Sequence, residues 1–86
     1  MNFGPTNAEE RAVFAEENLR VDVQVLIYEL MLKRGISATE LARRLGTSET
    51  FIKNQVFNDK SNLRMRTFAR ILNVLGSEVE LKLKDV

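Results

Sequence analysis

The chain has 86 residues, which predicts one domain with a small core, and its composition excludes several classes of function. It has no cysteine, so disulfides, thiolate zinc sites and cysteine nucleophiles are excluded, and it has no histidine, the commonest metal ligand and general base. The net charge is only +1, but residues 1–32 hold two basic and six acidic residues, whereas residues 33–70 hold nine basic and three acidic ones. The basic segment suits a polyanion partner; an ordinary solvated face is the alternative.

The N-terminal region, residues 6–34, is predicted to be helical. Thr6 and Glu9 fit a capping box, in which a hydroxyl at the cap is followed three residues later by a glutamate. Apolar residues then recur at helical spacing, and Gly35 marks a C-terminal stop. The recurring apolar residues are Leu19, Val23, Leu26, Ile27 and Leu30. The pattern leaves open whether this region is one helix or two that break near Asn18.

Residues 37–57 are predicted to form two short helices joined by a tight turn. Ser37 can cap the first helix and Ser48 the second. Gly46 lies between them and tolerates the positive φ of a sharp reversal. Ile52 is expected to hold the second of these helices against the core. Two helices in this arrangement present a helix to the DNA major groove.

A polar turn precedes a support helix that is predicted over residues 64–75. Gly76 ends this helix. Its apolar residues follow the helical period, and we expect them to be buried. They are Met65, Phe68, Ala69, Leu72 and Leu75.

The hydropathy period changes to two over residues 77–84, which is typical of a half-buried strand. Val79, Leu81 and Leu83 form its apolar side. A lone strand leaves backbone groups unpaired, and the sequence predicts no second strand. We therefore expect this strand to pair with the same strand of a second copy across a two-fold axis. A frayed terminal helix is the alternative.

Residue types and spacing across the C-terminal three quarters of the chain resemble the phage-repressor-like (Xre) family of helix-turn-helix regulators. The pattern consists of Gly35-Ile36-Ser37, Leu41-Ala42, Leu45-Gly46, Thr47-Ser48, Ile52, Leu63, Phe68-Ala69 and Leu75-Gly76. The resemblance covers roughly residues 20–84. It implies a mainly α, lambda-repressor-like bundle of four to five helices in a single domain over residues 1–86. A C-terminal β-strand that pairs across a dimer is typical of the autoregulator and antitoxin subgroup that the chain resembles.

Two positions depart from the family pattern. The family usually has a phosphate-holding glutamine where this chain has Ala38, so either Thr39 or the helix N-terminus replaces that contact or the contact is lost. The family also usually has an aliphatic residue three positions after Ile52, where this chain has Gln55 followed by Val56. The end of the recognition helix is therefore predicted to be lengthened or shifted by one residue.

The candidate DNA-binding residues fall into three groups. The outward side of the third helix carries polar side chains that can contact base edges or phosphates; Asn54 can read adenine, and Lys53 can read guanine or hold phosphate. The helix N-termini at Ser37 and Ser48 offer backbone N–H groups to phosphates. Basic and amide side chains near the second and fourth helices suit phosphate anchoring. The full set is Ser37, Thr39, Arg43, Ser48, Glu49, Thr50, Lys53, Asn54, Lys60, Asn62 and Arg64.

These features predict a homodimeric regulator that binds double-stranded DNA at a palindromic operator, and the resemblance implies repression or autoregulation. One alternative is an antitoxin whose acidic N-terminal segment, which includes Glu9, Glu10, Glu16, Glu17 and Asp22, contacts a basic toxin. Another is a helical protein-interaction module without DNA binding.

An enzyme is not expected, and neither is a cofactor or a metal. There is no glycine-rich phosphate loop, and the carboxylates are expected on exposed helix faces with ordinary pKa values. The polar, acidic N-terminus does not read as a signal peptide, and no apolar run suggests a membrane span. We therefore expect a cytoplasmic protein.

Overall fold

The fold is mainly α. A computed structural model describes residues 8–58, 63–80 and 82. These residues form four helices, α1 (Ala8–Arg34), α2 (Ala38–Leu45), α3 (Glu49–Val56) and α4 (Met65–Val74). The predicted mainly α helix-turn-helix bundle is confirmed. Within the described part of the chain, no helix has both the length and the apolar character that crossing a membrane requires.

Helix α1 is one continuous helix of 27 residues, with no break near Asn18. At about 1.5 Å per residue it is about 40 Å long. Its buried residues, Ile27 and Met31, both lie in its C-terminal half. Arg34 fixes that end further, because its Nε donates to the carbonyl oxygen of Leu75 at 3.0 Å. The capping residue predicted for its start, Thr6, lies outside the described residues.

The predicted core-facing side of α1 is only partly correct. Ile27 is fully buried, and Val23 and Leu30 pack at the edge of the core. Leu19 and Leu26, however, are 65% and 40% exposed. Leu19 is exposed because residues 8–19 extend away from the other helices and are exposed throughout. Leu26 lies two turns further along the same side of α1 as Leu19, about 100° from Ile27, and is therefore turned away from the core. A helical period identifies the apolar residues of a helix but does not show how far its neighbours reach along it.

The core lies where the C-terminal half of α1 meets α2, α3 and α4. Its six largest fully buried side chains are Ile27, Leu41, Val56, Ile52, Ile71 and Leu75. Each of the four helices contributes at least one of these side chains. No polar or charged residue is buried among the described residues. Burial of apolar surface is therefore the main stabilising contribution to this small domain.

Helix α4 buries fewer residues than predicted. Leu72 and Leu75 are buried and Phe68 is partly buried, as expected. The predictions for Met65 and Ala69 are wrong, since Met65 is 86% exposed and Ala69 is also exposed. Met65 is the first residue of the helix, where a side chain tilts toward the N-terminus and beyond the core. At about 100° per residue, Ala69 lies on the flank of the buried stripe rather than within it.

The turn between α2 and α3 has the predicted chemistry. Ser37 Oγ accepts a hydrogen bond from the Glu40 N–H at 3.1 Å, and Ser48 Oγ accepts one from the Phe51 N–H at 3.1 Å. Gly46 ends α2 in the left-handed region with φ of 70°. An L-residue with a side chain is strained in that region, so glycine suits the reversal.

The strand predicted over residues 77–84 is not seen. Residues 77–80 and 82 lie outside helices and strands, and Val79 is 44% exposed. Leu81 and Leu83 lie outside the described residues. A strand is defined by backbone hydrogen bonds to a neighbouring strand, and the described part of this single chain contains no other strand to supply them.

Candidate nucleic-acid interface

Helix α3 packs against the core on one side and is exposed on the other. Ile52 and Val56, four residues apart, are both fully buried, which fixes the rotation of the helix about its axis. Gln55 is half-buried. The aliphatic contact that the family usually makes at this point is therefore made one residue later, and α3 remains a regular helix that ends at Val56.

The outward side of α3 brings together three of the predicted site residues. Thr50, Lys53 and Asn54 are exposed, and their spacing of three and four residues places them on one side of the helix. The Lys53 side chain is 64% exposed. This surface offers an ammonium group, an amide and a hydroxyl, which are the groups that contact base edges and phosphates in major-groove recognition.

Glu49 forms a link between α2 and α3 that the sequence does not reveal. The Thr39 hydroxyl donates to Glu49 Oε2 at 2.9 Å, and Lys53 Nζ lies 3.1 Å from Glu49 Oε1. The hydrogen bond from Thr39, followed by the one from Lys53, lowers the pKa of the Glu49 carboxyl below its usual value. Glu49 is therefore anionic at neutral pH and compensates part of the positive charge of Lys53.

A second acidic residue, Glu40, binds two arginines on α2. Arg43 contacts both carboxylate oxygens of Glu40, at 2.6 and 2.9 Å, and Arg44 Nε donates to Oε1 at 2.8 Å. The hydrogen bonds from Arg43 and then Arg44 lower the pKa of Glu40 to about 2. The same contact raises the pKa of Arg43. The expectation of ordinary pKa values is thus wrong for Glu40 and Glu49.

The Glu40 cluster gives the folded state a specific response to acid. A carboxyl whose folded pKa is depressed stabilises the fold above its ordinary pKa, here 4.5, and this contribution is lost as the pH falls toward about 2. In Glu40→Gln, the urea midpoint should therefore fall less steeply over that interval than in the wild type. The effect should be small, because the side chains of both arginines are substantially exposed.

Urea unfolding at a series of pH values measures this difference without the ionic screening that guanidinium would add. Glu16→Gln, in the exposed N-terminal half of α1, is the matched control and should follow the wild type. Parallel curves for the wild type and Glu40→Gln would show that the arginine contacts do not contribute to stability.

The remaining predicted site residues lie around this surface. Ser37 and Ser48 cap the two helices, so their oxygens are used internally, while Thr39 and Thr50 in the first turns of α2 and α3 are exposed. Arg43 is exposed apart from its contact with Glu40, and Arg64 is the exposed N-cap of α4, without a side-chain capping bond. Lys60 and Asn62 lie outside the described residues.

One basic residue that the sequence analysis did not single out supports the turn. Arg70 Nη2 donates to the carbonyl oxygen of Leu45, at the end of α2, at 3.3 Å. The contact joins α4 to the helix-turn-helix across 25 positions of sequence. Nothing in the local pattern around Arg70 distinguishes it from a solvated charge, so only the tertiary structure reveals the contact.

Two short helices with capped N-termini, a left-handed glycine between them and a polar outward side on the second define a DNA-binding helix-turn-helix domain. A protein-family model described as "Helix-turn-helix" matches residues 27–81, which is more than half of the chain. The chain belongs to this family of phage-repressor-like regulators. Searches of curated proteins and of solved structures found no match. The matched residues comprise the last part of α1 and all of α2, α3 and α4.

The position of Glu49 predicts how one substitution should change DNA binding. Glu49→Gln removes a negative charge from the α3 surface and releases the Lys53 ammonium from its ion pair. Affinity for random-sequence DNA at low salt should therefore rise, and the dependence of log K on log salt should steepen by up to about 0.9, the equivalent of one further phosphate contact.

Fluorescence anisotropy with a labelled random duplex at several salt concentrations tests this. Glu16→Gln changes the net charge by the same amount on the exposed half of α1 and should leave the slope unchanged. Equal effects of the two substitutions would mean that only net charge matters, and that the Glu49–Lys53 pair has no local role.

Proposed function

We propose that the protein is a homodimeric transcriptional regulator that recognises a palindromic operator by inserting α3 into the major groove. The carrying observation is that Ile52 and Val56 lock one side of α3 into the core while Thr50, Lys53 and Asn54 are exposed on the other. A rigidly held helix with a polar outer side is what direct readout of bases requires.

We infer a division of roles among the site residues. Asn54 and Lys53 contact bases, or in the case of Lys53 a phosphate, and Thr50 lies beside them. Phosphates are bound by the N-termini of α2 and α3, where Ser37 and Ser48 are the caps. The further phosphate contacts come from Arg43 and Arg64, together with Lys60 and Asn62, which lie outside the described residues. Thr39 and Glu49 act by positioning Lys53.

The dimer would place two α3 helices about 34 Å apart, one turn of DNA. We infer that it forms by pairing of residues 77–84 from two copies, with Val79, Leu81 and Leu83 as the shared apolar side. The 44% exposure of Val79 in the single chain is compatible with a contact that only a second copy completes. Repression of its own gene is the regulatory role we propose.

Removal of residues 77–86 should convert the dimer into a monomer. Backbone hydrogen bonds of the proposed intermolecular strand pair would be lost, together with its apolar contacts. Sedimentation equilibrium measures the outcome directly. The full-length variant Glu78→Ala/Glu80→Ala changes only the alternate, polar side and should remain dimeric. A truncated protein that still sediments as a dimer would rule out strand pairing.

The proposed function is tested by a gel shift with the DNA upstream of the protein's own gene, compared with random DNA at low and at physiological salt. A sharp, salt-sensitive shift that prefers the upstream DNA supports an autoregulator. Equal binding to both DNAs, or no binding, would contradict sequence-specific regulation. It would favour a role in binding a protein partner.

We infer that an antitoxin is the second candidate function. It is favoured by the exposure of residues 8–19 of α1, which carry Glu9, Glu10, Glu16 and Glu17. An acidic, unpacked helix suits a basic toxin surface. Co-expression with the product of an adjacent small gene, followed by size-exclusion chromatography of both chains, tests it. Separate elution of the two proteins would argue against a toxin partner.

A further inference from the structure

Helix α1 carries a second apolar stripe whose side chains are about half exposed or more. Its members are Phe14, Val21, Val25, Tyr28 and Leu32, which are 52%, 48%, 48%, 55% and 65% exposed. We call this set the α1 seam. At about 100° per residue, the seam lies about a third of a turn from the side that carries Ile27 and Met31 into the core. Helix α1 therefore has one side for its own bundle and another that faces outward.

The spacing of the seam is that of a coiled-coil helix. With Asn18 included, the positions follow one another at intervals of four, three, four, three and four residues from Phe14 to Leu32. This is the alternation of d and a positions in a heptad repeat, with Phe14 at d and Asn18 at a. A single polar residue at an a position is a common means of fixing register between two helices. The seam is thus patterned to pack against another helix.

Much of the seam lies outside the part of the chain that the family match explains. The match begins at residue 27, so Phe14, Val21 and Val25 precede it. In addition, residues 8–19 are exposed on every side. The seam is therefore not required to build the helix-turn-helix core, which uses residues of α1 from Val23 onward.

The charges beside the seam indicate what covers it. In a heptad with Phe14 at d, the charged residues at the flanking e and g positions of α1 are Glu10, Glu17, Asp22 and Glu29. All four are acidic. The flanking positions face the partner's flanks in a two-stranded coiled coil and determine which partner is accepted.

A second copy of this chain would be a poor partner. In a parallel pair, Glu17 of one copy would face Asp22 of the other, since a g position lies opposite the e position five residues later. In an antiparallel pair, g faces g and e faces e, which again places acids against acids. Like charges at these positions are destabilising and disfavour self-pairing.

We propose that the α1 seam is a docking surface for an amphipathic helix of another protein, whose apolar stripe is flanked by lysine and arginine. The apolar side chains provide the buried contact, Asn18 pairs with a polar residue of the partner helix, and the acidic flanks bind its basic flanks. This binding does not require DNA and uses none of the proposed DNA-binding residues. The two functions can therefore be tested separately.

The probe is a synthetic peptide of three heptads with leucine at a and d, except for one asparagine at a, and lysine at e and g. Its matched control carries glutamate at e and g. Each peptide carries like charges at all e and g positions, so both are disfavoured from self-association to a similar extent. Fluorescence anisotropy with the full-length protein at low salt should show that the lysine peptide binds at least about tenfold more tightly than the glutamate peptide.

Three variants test whether the peptide binds to the seam. Val21→Ser/Val25→Ser should abolish binding of the lysine peptide. Leu19→Ser should not, because Leu19 is an even more exposed apolar residue but lies on another side of α1. Glu17→Lys/Asp22→Lys should remove the preference for the lysine peptide, because two acidic and two basic flanking residues then remain. Circular dichroism and the gel shift confirm that each variant is folded and retains its DNA affinity, so a failure of this proposal and a failure of DNA binding are distinguishable.

Three results would overturn the proposal. The first is that neither peptide binds, or that both bind equally, which would mean that the flanking charges do not select a partner helix. The second is that Leu19→Ser weakens binding as much as Val21→Ser/Val25→Ser does, which would indicate nonspecific association of the peptide with α1. The third is that Val21→Ser/Val25→Ser dissociates the dimer in sedimentation experiments, which would show that a second copy of the chain occupies the seam.

Discussion

Replacing Ile52 by alanine should lower the free energy of unfolding by about 2–5 kcal/mol. The side chain is fully buried and lies among the core residues of α1, α2 and α4. Its loss removes apolar burial and leaves a cavity that the surrounding helices fill only in part. Small domains have a total stability of about 5–15 kcal/mol, so this one substitution removes a large share of it. Urea unfolding followed by circular dichroism measures the change.

The matched control for Ile52→Ala is Leu19→Ala. Leu19 is also a large aliphatic residue in a helix, but it is 65% exposed, so its truncation should change stability by no more than about 0.5 kcal/mol. A similar loss in the two variants would contradict the core described here. Because Ile52 also sets the rotation of α3, its loss should weaken operator binding even where the variant remains folded.

Truncation of the outward side of α3 should have the largest effect on DNA binding. Asn54→Ala and Lys53→Ala should each reduce operator affinity by about 1–3 kcal/mol if they contact bases. Both side chains are exposed and make no contact with the core, so stability should hardly change. Titration of labelled operator and random duplexes by anisotropy gives both affinities for each variant.

Comparing the affinities for operator and random DNA distinguishes base contacts from phosphate contacts. A base contact by Asn54 predicts a loss on the operator and almost none on random DNA. A phosphate contact by Lys53 predicts a loss on both and a shallower salt dependence. Arg11→Ala, near the start of α1, serves as the control for loss of one positive charge. If operator affinity is unchanged in both α3 variants, the assignment of α3 as the recognition helix is wrong.

Local chemistry made the helix-turn-helix predictable from the sequence. Ser37, Ser48 and Gly46 act within a few residues of their own position, so a cap or a left-handed turn can be read directly. Ile52 and Leu41 follow a helical period that places them inward, and both are fully buried. The family pattern rests on these same positions, which is why the resemblance and the structure agree.

Features that depend on distant neighbours were not predictable. The Thr39–Glu49 contact joins two helices, and the contact of Arg70 with Leu45 joins elements 25 positions apart. Met65 and Leu19 are apolar and correctly spaced, yet both are exposed, because each lies in a helical segment that extends beyond its neighbours. The Gln55 departure had a simple resolution, since Val56 makes the core contact one residue later.

The Glu49–Lys53 pair has a consequence for how such a regulator searches a genome. If Lys53 contacts phosphate as proposed, each such contact on random DNA would compete with the Glu49 carboxylate, which lies 3.1 Å away. The proposed regulator would then spend less time on each nonspecific site and would hop or slide more readily. At its operator, fixed base contacts would offset the cost of separating the pair. A carboxylate that acts as a counterion would thus favour occupancy of the operator by weakening binding to every other sequence.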